Sequence, residues 1–203
     1  MIKFKKINFQ KYNDSWDREQ KIEVKKPIDE KYLSYGELHN EIKKRTKTIP
    51  EKKEELLAII FLIQKWGGST GRYFFIKKNG VSHFDTLKKT NNLIETYLNA
   101  AKKAMNGDSN SFDEFCKIPG IKESFAGKHA YFWSTNKKPL IIIDKLLAEH
   151  FGFKTPAALL KECGGYSNLY DLFNKEYKTQ NLSSILVLER GIFQHTRELS
   201  RKK

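Results

Sequence analysis

Cysteine, methionine and proline are scarce in this chain, and long apolar runs are missing. The two cysteines in 203 residues, Cys116 and Cys163, can neither staple a fold nor hold an iron–sulfur cluster, which takes four thiolates. The longest uncharged apolar run, Leu56 to Ile63, has eight residues, against the ~20 that a membrane-spanning helix needs. Residues 1–6 carry charges with no apolar core behind them, so no secretory signal is expected. His39, His83, His129, His150 and His195 show no zinc-type spacing with one another or with the cysteines. Gly67 to Gly71 is glycine-rich but lacks the Gly-Lys-Ser/Thr ending of a phosphate loop. The expectation is a cytoplasmic protein, not bound to membrane, with no metal and no cofactor.

What the chain does have is positive charge. Lys and Arg number 38 against 24 Asp and Glu, a net charge of +14. A polyanion releases condensed counterions when such a surface neutralises its phosphates, so a pI near 9.6 favours nucleic acid as partner. Lys43-Lys44-Arg45-Thr46-Lys47 is one cluster. Arg72, Lys77, Lys78, Lys88 and Lys89 form a second stretch with only Asp85 in opposition. With 39% apolar and 13% aromatic residues there is material for a packed core, which excludes wholesale disorder.

Hydrophobic periodicity predicts a mostly α fold with at most a small β element near residues 72–84. Residues 1–27 show no clean period and read as an irregular arm or short strand pair packed on a helical body, 28–203. Helices are expected over 29–49, 51–65, 86–105, 111–117, 122–135, 144–151, 156–163, 166–177 and 183–199. The helix at 51–65, with Glu54 and Glu55 on its positive dipole end, is apolar around most of its circumference and reads as central. Gly71 to Ile76 reads as the best extended segment, ended by the turn pair Asn79-Gly80. Ser111 with Glu114 three residues on reads as a capping box.

Residues 112–152 hold the most informative pattern. A short helix ending at Cys116-Lys117 is followed by Ile118-Pro119-Gly120-Ile121 and then a second helix, the hairpin spanning 112–135. Such a turn points backbone N–H groups at a phosphate, Lys117 and Lys122 add charge, and Ile118, Ile121, Phe125 and Ala126 would lock the helices together. That is a sequence-independent grip on a DNA backbone. Further on, Pro139-Leu140-Ile141-Ile142-Ile143 delivers Asp144 at a helix start.

Hairpin, apolar run and aspartate, in this order and spacing, resemble the helix-hairpin-helix DNA glycosylase superfamily. Together with Phe125 to Phe132, they look most like its compact bacterial 8-oxoguanine-glycosylase-type members. The resemblance implies a two-lobed helical fold and a monomeric, cofactor-independent enzyme acting on double-stranded DNA. Such an enzyme would be nucleoid-associated through its DNA and would release a damaged or modified base in repair or in defence against phage. It assigns backbone binding to Lys117, Pro119, Gly120, Ile121 and Lys122. It assigns to Asp144 the stabilisation of the sugar cation or the activation of water. The position of the family's second hairpin glycine is Lys122, and that of the Schiff-base lysine of bifunctional members is Ser124. Lys128, one helical turn on, is then the candidate second catalytic group, with base reading and phosphate contact as its other roles. An extruded base needs stacking faces and hydrogen-bonding groups, for which Trp66, Trp133, Phe193 and Gln194 are the candidates. The other reading is a non-catalytic helical DNA-binding protein that uses the hairpin as a clamp and Asp144 as a helix cap.

Overall fold

The computed structural model describes residues 2–22 and 34–202. It is mostly helical, and among the described residues there is no strand. The chain divides into two compact units: one is Leu38–Leu140, and the other is made of Met1–Glu37 together with Ile141–Lys203. Of the expected helix over 29–49, residues 29–33 lie outside the described ones.

The second of these units begins with a correction. Phe9–Glu19 is a helix, α1, not an irregular arm. Phe9, Tyr12 and Trp16 recur at helical spacing, and Asn8 caps the start by accepting the Lys11 N–H. The partner of this aromatic face lies far along the chain, on α11 (Ile185–Arg201). A side chain at Gly191 would collide with the Phe9 backbone, so the two helices meet at a glycine. Around that contact the Arg190 guanidinium lies 4.0 Å over the Trp16 ring, and Glu19 pairs with Arg197 and Arg201 at 3.1 Å each. Also in this unit are α8 (Lys145–His150), α9 (Pro156–Cys163) and α10 (Tyr166–Thr179). Phe4 packs edge-on against Phe151 and Phe173.

The first unit centres on α3 (Lys53–Trp66), whose Leu56, Leu57, Ile59, Ile60, Leu62 and Ile63 are all buried. Burying such a side chain contributes about 1.5–3 kcal/mol each, so this helix is the hub that its composition predicts. Tyr35–Arg45 forms α2, which enters the unit at Leu38. After α3 come a 3-10 helix at Gly68–Phe74, α4 (His83–Lys89), α5 (Asn91–Met105), α6 (Ser111–Cys116) and α7 (Glu123–Trp133).

Three local expectations fail here. The aromatic run 71–76 has no partner strand to pair with. β-propensity expresses packing on a pleated surface more than backbone preference, and Phe74 and Phe75 instead pack on each other, on Phe61 and on Phe84. The only β feature at this place is the bridge between Lys78 and Val81. The expected helix 86–105 is two helices, because Thr90 adopts an extended backbone between them. A true capping box forms earlier, at Ser82 and Asp85. At α6 the cap is Asn110 with no side-chain bond; Ser111 is buried, and Glu114 is taken by Lys103 and Lys117 at 3.0 and 2.7 Å.

A buried polar chain fixes α7 within this unit. Trp133 Nε1–H donates to the Tyr97 oxygen at 3.0 Å, and the Tyr97 hydroxyl and His129 Nδ1 share a hydrogen bond of 2.7 Å. His129 Nε2 in turn lies 3.2 Å from the Gln64 amide nitrogen. Burial, with the Lys128 charge second, pushes His129 down to about 3, so it is a neutral core residue.

Candidate functional site

The hairpin is built as its sequence implies. Ile118 and Ile121 are 1% and 2% exposed, and Phe125 and Ala126 are buried beneath them. Ile121 N–H donates to the Ile118 carbonyl at 3.0 Å, closing the turn. Gly120 has φ +83, and a side chain there would run into the His83 ring at 2.6 Å, so the turn admits only glycine. Lys122, by contrast, has φ −93 and ψ 175, an extended conformation open to any residue, so a lysine can stand there without backbone strain. No side chain caps α7, so its first N–H groups, those of Glu123 and Ser124, have no intrahelical partner and point outward with the positive end of the dipole. Lys117 is exposed and paired with Glu114 at 2.7 Å, and Lys122 is exposed.

Lys128 is 8% exposed. Its Nζ reaches back one turn and donates to Ser124 Oγ at 2.9 Å and to the Ser124 carbonyl at 3.2 Å, with the Phe125 ring 4.9 Å away. Along the same face of α7, at helical spacing, follow Tyr131 and Phe132. Trp66, at the end of α3, packs edge-on against Phe132 at 5.0 Å, and a side chain on the next residue, Gly67, would strike the Phe125 ring. Trp66 is half-buried, and its buried Nε1–H has no hydrogen-bond acceptor. His39 joins the group: its Nε2 shares a 2.6 Å hydrogen bond with the Tyr131 hydroxyl, and its ring lies 6.2 Å from that of Trp66. Lys128 thus places a buried ammonium against Phe125, and Trp66, whose indole N–H has no acceptor, packs on Phe132 of the same helix.

The basic cluster at 43–47 divides. Lys43 donates to the Tyr131 and Ser134 carbonyls at 2.6 and 3.0 Å, and Thr46 Oγ1 donates to the Phe132 carbonyl at 2.7 Å. These bonds satisfy the C-terminal carbonyls of α7, where a cation also meets the dipole favourably. Arg45 pairs with Glu41. Lys43 is therefore a fixture of the fold.

In the other unit, Ile141 to Ile143 run buried and without regular structure into Asp144. A side chain takes the place of a neighbouring strand: the Tyr166 hydroxyl donates to the Ile141 carbonyl at 2.8 Å and accepts the Ile141 N–H at 3.1 Å. Asp144 is half-buried and caps α8, its Oδ1 accepting the Leu147 N–H at 3.0 Å. The carboxylate is thus fixed by a cap on one side and by a backbone held by Tyr166 on the other. Nothing in the sequence marks Tyr166 for this task, and His39 likewise carries no local signal.

The four proposed base-pocket residues do not form one group. Trp133 is 1% exposed and spends its N–H on Tyr97, so it belongs to the core. Trp66 lies on the aromatic face just described. Phe193 and Gln194 are on α11; Gln194 opens on a cleft of about 250 Å³ lined by Ser15, Arg18, Glu19, Glu198 and Arg201, a charged setting and not an aromatic one. Among the described residues no three His, Cys, Asp or Glu side chains gather to hold a metal ion, and no helix is long and apolar enough to cross a membrane. No protein-family model, no curated protein and no solved structure matches the chain.

Proposed function

We propose that the chain is a DNA N-glycosylase of the helix-hairpin-helix type, with a two-lobed glycosylase-like fold, which hydrolyses the bond between a damaged or modified base and its sugar. The observation that carries this reading is Lys128. Its buried ammonium is delivered onto Ser124, the position at which the resemblance places a reactive lysine, on the helix whose uncapped start forms the hairpin. The turn 118–122 would take a backbone phosphate through N–H groups and Lys122. Asp144 would receive the proton of an attacking water as the water oxygen bonds to C1′, while the electron pair of the C1′–N bond leaves with the base. Trp66 would stack on the extruded base, and its free N–H would meet an acceptor on it.

The test is a single-turnover assay on duplexes carrying oxidised, alkylated, deaminated and phage-type modified bases, with products split by hot alkali or left untreated. Alkali-dependent cleavage is the expected result, and Asp144→Asn keeps DNA binding while losing base release. Alkali-independent cleavage that disappears in Lys128→Gln makes Lys128 the nucleophile. Tight binding with no base released favours the second reading, a non-catalytic helical DNA-binding protein. The Asp144 cap on Leu147 is the observation on that side.

A further inference from the structure

Five large apolar side chains are exposed among the described residues, and three of them, Tyr73, Ile76 and Val81, fall within one stretch of nine. That concentration lies in a strongly basic stretch: Arg72, Lys77, Lys78, Lys88 and Lys89 are all exposed. The one acid there, Asp85, is committed to the start of α4, where it accepts the Ser82 N–H and hydroxyl at 3.0 and 2.8 Å.

The stretch is rigidly mounted. Lys78 and Val81 exchange backbone hydrogen bonds at 3.0 and 3.2 Å around Asn79 (φ 52) and Gly80 (φ 81), a two-residue turn in which both central residues are left-handed. From beneath, the Phe75 ring packs 5.2 Å from Phe61 and 5.3 Å from Phe84. Phe74 stacks on His83, the ring that also meets Gly120 at the hairpin turn. One imidazole thus separates this stretch from the phosphate-binding turn. Outward, the Arg72 guanidinium lies 5.4 Å over the Tyr73 ring.

We propose that residues 72–81 are a second DNA contact, one that accepts unpaired bases. A fully paired duplex offers this surface phosphates and groove edges but no open base face on which Tyr73 could stack. An unpaired stretch offers the same phosphates to Arg72, Lys77 and Lys78, together with base faces that stack on Tyr73 and shelter Ile76 and Val81 from water. The chain therefore favours DNA with a locally opened stretch over uniform duplex. This rests on DNA being the partner in the proposed function, and not on base release.

The experiment is a competition binding titration of the full chain, at fixed salt, with a duplex, the same duplex carrying a central four-nucleotide bubble, and the single strand. The bubble and the single strand are expected to bind at least about fivefold tighter than the duplex, the least that one stacked base supplies. Tyr73→Ala/Ile76→Ser/Val81→Ser abolishes that advantage and leaves duplex affinity within about twofold. Tyr73→Phe, which keeps the stacking face, retains it. Lys77→Gln/Lys78→Gln weakens all three ligands and lowers the salt slope by about two. Equal affinity of the wild type for bubble and duplex overturns the proposal, as does a bubble advantage that survives the triple substitution. Base release measured on the same duplexes keeps the two ideas apart, because a chain that releases no base still shows or lacks the bubble preference.

Discussion

Two helices begin at the residues proposed for function, and they begin in opposite ways. The start of α7 has no side-chain cap, and its anchorage comes from below, through Ile118, Ile121 and the Trp133–Tyr97–His129 chain. The start of α8 is capped by Asp144 itself, and its anchorage comes from behind, through Tyr166 on Ile141. An uncapped start leaves N–H groups for an anion. A capped start consumes an N–H in order to aim a carboxylate. The two devices suit the two tasks assigned to them, holding a phosphate and supplying a charge.

The widest separation between them is expected at Asp144. Asparagine caps a helix about as well as aspartate, so Asp144→Asn melts with the wild type yet loses about 10²–10⁴-fold in base release. Asp144→Ala loses the same rate and about 1 kcal/mol of stability. A normal rate in the asparagine variant reduces Asp144 to a cap.

Acid titration sharpens the contrast from the side of α7. Burial pushes His129 from 6.5 down to about 3, so between those values the unfolded chain binds a proton that the native core refuses. Stability is complete above pH 6.5 and falls as the pH drops, by about 1.4 kcal/mol per pH unit for this one group. His150, pushed down to about 4 mainly by burial, acts in the same direction. Chemical denaturation at several pH values measures the slope, and His129→Gln should flatten it.

A smaller effect is expected behind α8. Tyr166→Phe removes both bonds to Ile141 and leaves two buried backbone groups unpaired. The cost should be about 1–3 kcal/mol in denaturation, with base release falling more than DNA binding. The smallest change is Lys122→Gln, which should lower DNA affinity evenly across sequences and reduce the salt slope by about one. A change larger than one would mean that the substitution disturbs the turn and does more than remove a charge.

What the sequence made legible was local. The hairpin could be read because Ile118, Pro119, Gly120 and Ile121 are adjacent and their packing partners lie on the next two turns. Pro156–Cys163 falls on its expected bounds, and its threonine cap, first-position proline and following glycine all lie within ten residues. The misses have distant partners. α1 was hidden because its aromatic face is answered only by α11. Lys43 read as part of a basic cluster because the carbonyls it satisfies lie 88 and 91 residues away. The extended stretch 71–76 failed for a related reason: strand-like composition names a surface to be packed, and the partner here was a set of phenylalanines and not a strand.

The unit that contains Asp144 is assembled from the two ends of the described chain, with Leu38–Leu140 between them, and this orders events in time. Leu38–Leu140 is continuous and can complete its contacts as soon as it leaves the ribosome. α1 is synthesised before this segment but meets α11 only after residue 185 has emerged. At ~5–20 residues per second that is a wait of roughly ten to thirty seconds with Phe9, Tyr12 and Trp16 unanswered. A polypeptide that stops short of α11 therefore carries an unpaired aromatic helix, a ready handle for chaperones and proteases, whereas the hairpin it also carries would already be folded.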